Sequence, residues 1–256
     1  MIHPTAIVHP AAELGPGVAV GPYAVIGEHV VIGAGTSIGA HAVVTGHTTI
    51  GRDNRIFQFT SVGDEPQDKK YAGEPTGLTI GDRNTIREFC TLNCGTVQDA
   101  GVTRVGNDNW IMAYVHVAHD CVVGDHVIMA NCTQLAGHVH VGDWAILAGF
   151  TGAHQFCRIG AHAMTAIATV LVHDLPPYVM AQGDTAKAHG INAEGLKRRG
   201  FSAEAIAGIR RAYKTLYRSG LTLDEARTAL AGQVAECPEV GVMAQFLERT
   251  TRGIVR

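Results

Sequence analysis

The chain has 256 residues, 46% of them hydrophobic, 17% charged and 6% aromatic, with 31 glycines and a formal charge of −3. That composition supplies a core for one large domain or two modest ones, suits many small turns around an aliphatic interior, and argues against bulk nucleic-acid binding. The opening MIHPTAIVHP has no signal-peptide regions, no stretch reaches the roughly 20 apolar residues of a membrane span, and the six cysteines form no CxxC pair. The expectation is a cytoplasmic chain with reduced thiols and no stable membrane insertion.

From Ile2 a step of six meets Val8, Leu14, Val20, Ile26, Ile32, Ile38, Val44, Ile50, Ile56 and Val62, all aliphatic. The series breaks, resumes at Ile80, Ile86 and Leu92, breaks again, and then runs from Val105 to Leu171 with only Ala153 and Thr165 departing from bulky apolar character. The position after each anchor is often glycine, as at Gly15, Gly21, Gly33 and Gly39, which is read as a need for positive φ in tight turns. The position four after each anchor is small or asparagine, and Asn54, Asn84 and Asn109 are read as residues that tolerate a left-handed backbone.

A period of six belongs to neither a helix nor an alternating strand. It suits one short strand plus one turn; three such units close a triangular coil, and stacked coils bury an aliphatic column along each wall. The predicted class is mainly β, a parallel β-helix of hexapeptide repeats over residues 1–188. Excursions at 66–77 and 98–104 leave the coil, and loops thrown out of a repeat scaffold usually carry function. A small α-helical domain is expected over 189–256. In it Ser202 N-caps a helix bearing Ile206, Ile209, Tyr213, Leu216 and Tyr217. Thr222 and Glu225 form a capping box, and Pro238 begins a further helix.

Fourteen histidines are present, and most turn histidines in such a scaffold are solvated. The segment His116-Val117-Ala118-His119-Asp120 stands apart. With 18 residues per coil, His138 lies one coil plus one residue beyond His119, and His154 lies two coils minus one. The three stack along one edge, at about 5 Å per coil. Imidazoles beside a carboxylate suit acid–base work, with His119 deprotonating a hydroxyl and Asp120 fixing its tautomer. Zinc held by three histidines, or plain solvated histidines, are the alternatives. Gly137 precedes His138 on that edge, where a bare backbone N–H can serve as an oxyanion donor. Lys197, Arg198 and Arg199 gather at the helical junction, and Arg210 or Arg211, Lys214 and Arg218 recur as a basic stripe. Cys90, Cys121 and Cys157 occupy the small-residue position and read as packing.

The segments GDRNTIRE, HVAHDC, QLAGHV, HQFCRIGAH, DLPPYV and NAEGLKRRGFS, with QDKKYAGEP and the ending TTRGIVR, resemble the UDP-N-acetylglucosamine O-acyltransferase family that opens lipid A biosynthesis. The likeness spans essentially the whole chain. It implies a left-handed coil, a homotrimer with active sites in clefts between neighbouring β-helices, and no metal or redox cofactor. It implies a 3-hydroxyacyl thioester on acyl carrier protein as donor and the 3-hydroxyl of UDP-N-acetylglucosamine as acceptor. By this resemblance His119 is the general base, Asp120 orients it and Gly137 is the oxyanion donor. His116, His138 and His154 contact substrate. Gln67, Asp68 and Lys70 belong to a loop that binds acceptor and donor. Asn192, Glu194, Arg198 and Arg199 lie near the nucleotide and pantetheine, and the basic helices dock acidic acyl carrier protein.

Two places depart from the family pattern. Asn93-Cys94-Gly95-Thr96 stands where His-x-Gly-Thr is common. Met164-Thr165-Ala166-Ile167 stands where a glycine-rich wall limits acyl length, so Ile167 is expected to shorten the preferred chain. The rival activities are acylation of an amino sugar and a trimeric zinc lyase on the same fold. A non-catalytic scaffold is argued against by the excursions and the histidine column.

Overall fold

The computed structural model describes residues 1–256. Strands of mostly two residues form three walls of nine, eight and ten strands. All pairings between coils are parallel, and register advances by one coil of 18 residues, as in Ile7 to Val25 to Val43. The architecture is a left-handed parallel β-helix. The first wall runs from Ile7–Val8 to Val170–Leu171 and the second from Glu13–Leu14 to Arg158–Ile159. The third runs from Ala19–Val20 to Met164–Thr165 and is extended by Val179–Gln182 and Lys187–Ile191.

The aliphatic anchors point inward. Ile26, Ile32, Ile50, Ile80, Ile86, Leu92, Ile111, Met129, Leu135 and Leu147 are all fully buried, each contributing about 1.5–3 kcal/mol of burial. The small residues four places after them fill the corners between walls. Cys90, Cys121 and Cys157 are buried among these, and burial pushes their thiols up to about 11, 12 and 11. They remain thiols at neutral pH, as packing residues should.

The turn chemistry differs from the sequence expectation. The left-handed residue is the third after most anchors and is seldom glycine: Tyr23, His41, Asp53, Phe59, Arg83, Phe89, Asp120 and His138 all have φ between 56° and 62°. The glycines after the anchors serve a different need. A Cβ on Gly15 would lie 2.7 Å from the Ala34 amide nitrogen, and one on Gly39 would lie 2.5 Å from that of Gln58. At these positions one coil rests directly on the backbone of the next, and a Cβ would collide with it.

The asparagines are likewise interior rather than left-handed. Asn54 Oδ1 accepts from the Asn84 amide at 2.9 Å and its side chain at 3.0 Å. Asn84 Oδ1 accepts from the Asn109 amide at 2.9 Å, and Asn109 Oδ1 from Val127 at 2.6 Å. This ladder pairs buried backbone donors from coil to coil at the corner between second and third walls.

Left-handed corner residues stack in columns. Where the third wall meets the first, Tyr23, His41, Phe59, Phe89 and Tyr114 stack with ring centroids 4.9 to 5.2 Å apart. The column repays part of the roughly 1–2 kcal/mol that each left-handed residue costs.

Both excursions replace a turn at the corner between first and second walls. The first joins Ser61–Asp64 to Gly77–Ile80. The second joins Thr91–Asn93 to Val102–Val105, so it closes earlier than the expected 98–104, since residues 102–104 are already strand. Asn93 links the two, donating to the Glu65 carbonyl at 2.9 Å.

Past Leu171 the chain forms an antiparallel pair, Val179–Gln182 with Lys187–Ile191, that lies across the expected boundary at 188. Four helices follow: α1 (Ala193–Arg198), α2 (Ala203–Arg218), α3 (Leu223–Gln233) and α4 (Val240–Glu248). Helix α1 precedes the point where helical periodicity is legible. Ser202 caps α2, and Thr222 with Glu225 forms the capping box of α3, as read from the sequence. The C-terminal segment returns to the coil, where Val255 donates to the Asp174 carbonyl at 2.8 Å.

Candidate active site

His116–Val117 is a first-wall strand in register with Thr91–Leu92 before it and Gln134–Leu135 after it. The chain then turns the corner through His119 and left-handed Asp120 (φ 58°). The imidazole of His119 is 8% exposed and the carboxylate of Asp120 only 1%. His119 Nδ1 lies 3.0 Å from Asp120 Oδ2.

Asp120 accepts from the Thr96 amide at 2.9 and 3.1 Å and also from the Thr96 hydroxyl. Its own amide donates to Thr103 Oγ1 at 2.9 Å. A carboxylate so surrounded by donors acts as an acceptor toward His119. Nδ1 then carries the proton, and Nε2 is left as the basic nitrogen.

Gly137 sits against this imidazole. A Cβ there would lie 2.5 Å from Nε2 and 3.1 Å from Nδ1 of His119. The absent side chain is the space the ring occupies. The Gly137 amide donates to no protein acceptor, which leaves one backbone N–H available beside the base.

His119, Gly137, His116, His154 and Gln67 line one cavity of about 490 Å³ on the outer face of the first wall, with Ala118, Leu135, Ala153, Val170 and Leu171 as its apolar part. His116 Nδ1 meets Thr91 Oγ1 at 2.7 Å; burial and then the neighbouring His119 hold its pKa below the ordinary histidine value. His154 is exposed, with Nδ1 3.2 Å from the Gln155 carbonyl.

His138, left-handed at the next corner, stands edge-on to His119 with centroids 5.0 Å apart. It stacks on Phe156 at 4.4 Å. Its Nδ1 is 2.8 Å from Asp99 of the second excursion, and its Nε2 is 3.9 Å from Asp120. Donor atoms of His119, Asp120 and His138 lie within 4.8 Å of one another.

Several residues assigned by resemblance lie elsewhere in the chain. Asp68 and exposed Lys70 are on the same excursion as Gln67, where Asp68 Oδ1 accepts from the Lys70 amide at 3.0 Å. Asn192 caps α1 and donates to the His162 carbonyl at 3.1 Å. Arg199 donates to the Trp144 carbonyl at 2.9 Å and lies 5.4 Å from that ring's centroid. Glu194 and Arg198 are exposed on the same short helix. This group belongs to the corner between second and third walls, where burial and then Arg199 press the His162 pKa down to about 4. None of the four lines the His119 cavity of its own chain. Ile167, 70% exposed, and the half-buried Met164 sit toward the corner between third and first walls.

Sequence reasoning missed Thr96, Thr103 and Asp99 as partners of the histidine corner. Thr103 lies 17 residues before Asp120, one coil less one, so the coil count pointed to it. Thr96 lies 24 before, and the excursion between them hides the relation.

Comparison with known proteins agrees with this architecture. The family model described as UDP-N-acetylglucosamine O-acyltransferase, domain 2, matches residues 174–255, and that of the bacterial transferase hexapeptide matches residues 103–137. A Thiobacillus denitrificans protein named acyl-[acyl-carrier-protein]–UDP-N-acetylglucosamine O-acyltransferase is 66% identical over 203 residues, 79% of each chain. One of the same name from Albidiferax ferrireducens is 65% identical over 212 residues, 80% of each chain. Among solved structures, LpxA from Acinetobacter baumannii matches with a TM-score of 0.98 at 49% identity, over 100% of this chain and 99% of that one. The UDP-N-acetylglucosamine acyltransferase of Francisella novicida matches with a TM-score of 0.98 at 43% identity, over 100% and 94%. The chain belongs to the UDP-N-acetylglucosamine O-acyltransferase family and is an acyltransferase built on the hexapeptide β-helix.

Proposed function

We propose that the protein transfers a 3-hydroxyacyl group from acyl carrier protein to the 3-hydroxyl of UDP-N-acetylglucosamine, the first step of lipid A biosynthesis, with His119 as general base. The observation that carries this reading is the His119–Asp120 pair, 3.0 Å apart, opening on the cavity beside the free amide of Gly137. His119 Nε2 takes the hydroxyl proton as the sugar oxygen attacks the thioester carbonyl. The Gly137 N–H receives the developing oxyanion. When the tetrahedral intermediate collapses, the C–S bond breaks and the imidazolium returns its proton to the departing thiolate. General-base assistance of this kind is worth about 10²–10⁴ in rate.

The working unit of this proposal is a homotrimer in the cytoplasm. The separation of Asn192, Glu194, Arg198 and Arg199 from the His119 corner supports it, because a neighbouring copy brings the nucleotide-binding group to the cavity. The donor's acidic carrier protein docks on α2, where Arg210, Lys214 and Arg218 surround Tyr213. Asp68, Lys70, His138 and His154 bind substrate from the rims of the cleft. Met164 and Ile167 form the end wall for the acyl chain. Ile167→Gly is expected to shift preference toward longer donors, and equal turnover of 10- to 14-carbon donors by the parent contradicts that wall.

The test is incubation with 3-hydroxyacyl-carrier protein and UDP-N-acetylglucosamine. The expected product is an ester cleaved by mild base. A base-stable amide formed only with an amino-sugar acceptor refutes the hydroxyl assignment.

A second reading rests on the His119, Asp120 and His138 donor cluster, which has the ligand types of a zinc site. Asp120 is already engaged by Thr96 and His119, and His138 Nδ1 by Asp99, which favours the acid–base reading. Stoichiometric zinc in the purified protein, required for turnover, favours the other.

A further inference from the structure

We propose that Asp99 is a positioning residue for the acyl transfer: its carboxylate holds the His138 imidazole by Nδ1 and thereby aims Nε2 at the Asp120–His119 pair. The proposal rests on the reading of His119 as the general base.

Two contacts fix the plane of the His138 ring, the stack on Phe156 at 4.4 Å and 10° and the edge-on approach to His119 at 88°. Neither decides which nitrogen faces inward. The Cβ–Cγ torsion of histidine is broad and roughly two-fold. A half-turn about it exchanges Nε2 for Cε1, and a carbon would then face Asp120. The bond that distinguishes the two orientations is Nδ1 to Asp99 Oδ2, at 2.8 Å. With Nδ1–H donated to Asp99, Nε2 is placed 3.9 Å from Asp120 Oδ2. The groups then alternate as Asp99, His138, Asp120, His119.

The second excursion is built to deliver this contact. Thr96 fastens it to Asp120 through its amide and hydroxyl. Three residues later Asp99 donates its own amide to the Thr96 carbonyl at 3.3 Å, and Gly101 does so at 3.1 Å. The same short loop therefore grips the carboxylate beneath His119 and the imidazole beside it. Stability does not account for Asp99. Its side chain is 48% exposed, and half-exposed ion pairs add little to folding, while Thr96 already anchors the loop.

The experiment is steady-state acyl transfer with thermal unfolding of the parent, Asp99→Ala, Asp99→Asn, His138→Ala and the double variant Asp99→Ala/His138→Ala. Asp99→Ala is expected to lower kcat about tenfold, the worth of one charge-assisted hydrogen bond in the transition state. KM should stay within about twofold and the thermal midpoint should hardly move. Asp99→Asn, whose amide oxygen still accepts from Nδ1–H, should recover most of kcat. The double variant should be no slower than His138→Ala alone.

An unchanged kcat in Asp99→Ala overturns the proposal. So does an equal further loss when His138 is already absent, or an Asp99→Asn as slow as the alanine variant. If Asp99→Ala fails to fold, the asparagine variant decides alone, by near-parental kcat or by its loss. An inactive parent overturns this proposal together with the function on which it rests. An active parent with an indifferent Asp99→Ala overturns the proposal only.

Discussion

Replacing Gly137 by alanine tests the geometry of the base without touching a functional side chain. The new Cβ would lie 2.5 Å from Nε2 and 3.1 Å from Nδ1 of His119, whereas ordinary contact begins at about 3.5 Å. The ring must withdraw by about 1 Å. It is tethered at Nδ1 by Asp120, which Thr96 holds in turn, so withdrawal stretches that bond or carries Nε2 off its line to the substrate. A 1 Å misplacement costs about 10²-fold in rate. The fold suffers less, because the ring borders an open cavity into which it can move. Overpacking costs about 1–3 kcal/mol, partly offset by about 0.4–1 kcal/mol from the reduced freedom of the unfolded chain. The assay is kcat/KM for acyl transfer beside the thermal midpoint. Gly152→Ala is the contrast, since it lines the same cavity but its Cβ meets nothing within 4 Å; its effect should fall on KM. Turnover by Gly137→Ala within about threefold of the parent would refute the reasoning that His119 rests in the space of a missing side chain.

Asn84→Ala should destabilise the fold by about 2–4 kcal/mol, measured by denaturant unfolding, because the Asn109 amide and the Gly106 carbonyl lose buried partners; a change below 1 kcal/mol contradicts the interior ladder. Stability should also fall with pH. His162 is held down to about 4 by burial and then Arg199, against about 6.5 in an unfolded chain. The unfolded state therefore takes up a proton in that window that the native state refuses, and stability is full above about 6.5 and declines toward 4. His116 and His140, depressed first by burial, act in the same direction, while Asp174, raised by burial, acts in the opposite one. The thermal midpoint should drop from pH 7 to 5 with a shallower slope in His162→Gln; equal slopes in the two proteins contradict the assignment.

The coil was legible because every anchor meets the same physical demand, burial along one of three walls, and the demand repeats at a fixed interval. The corners were less legible. Glycine answers both a positive φ and a close approach, and the two look alike in sequence; the Cβ of Gly21 or Gly39 would collide with the next coil, while the φ that turns the corner belongs to Tyr23 or His41. Asparagine has the same ambiguity, and Asn54, Asn84 and Asn109 turn inward to pair amides. At the site, the neighbourhood of His119 and His138 followed from the 18-residue coil, but the expected three-histidine stack did not form: His138 meets His119 edge-on and stacks on Phe156, and His154 stacks on neither. Thr96 and Asp99 lie across an excursion where that count fails. Helix α1 has six residues, one of them Gly195, too few for a helical period to emerge.

The most direct measurement is acyl transfer from 3-hydroxyacyl-carrier protein to UDP-N-acetylglucosamine by the parent and by His119→Ala. The parent is expected to form a base-labile ester, and the variant to lose at least about a hundredfold in rate with its fold intact. A variant that turns over at near the parental rate would remove His119 from its role, and a parent that forms no ester would contradict the proposed reaction itself.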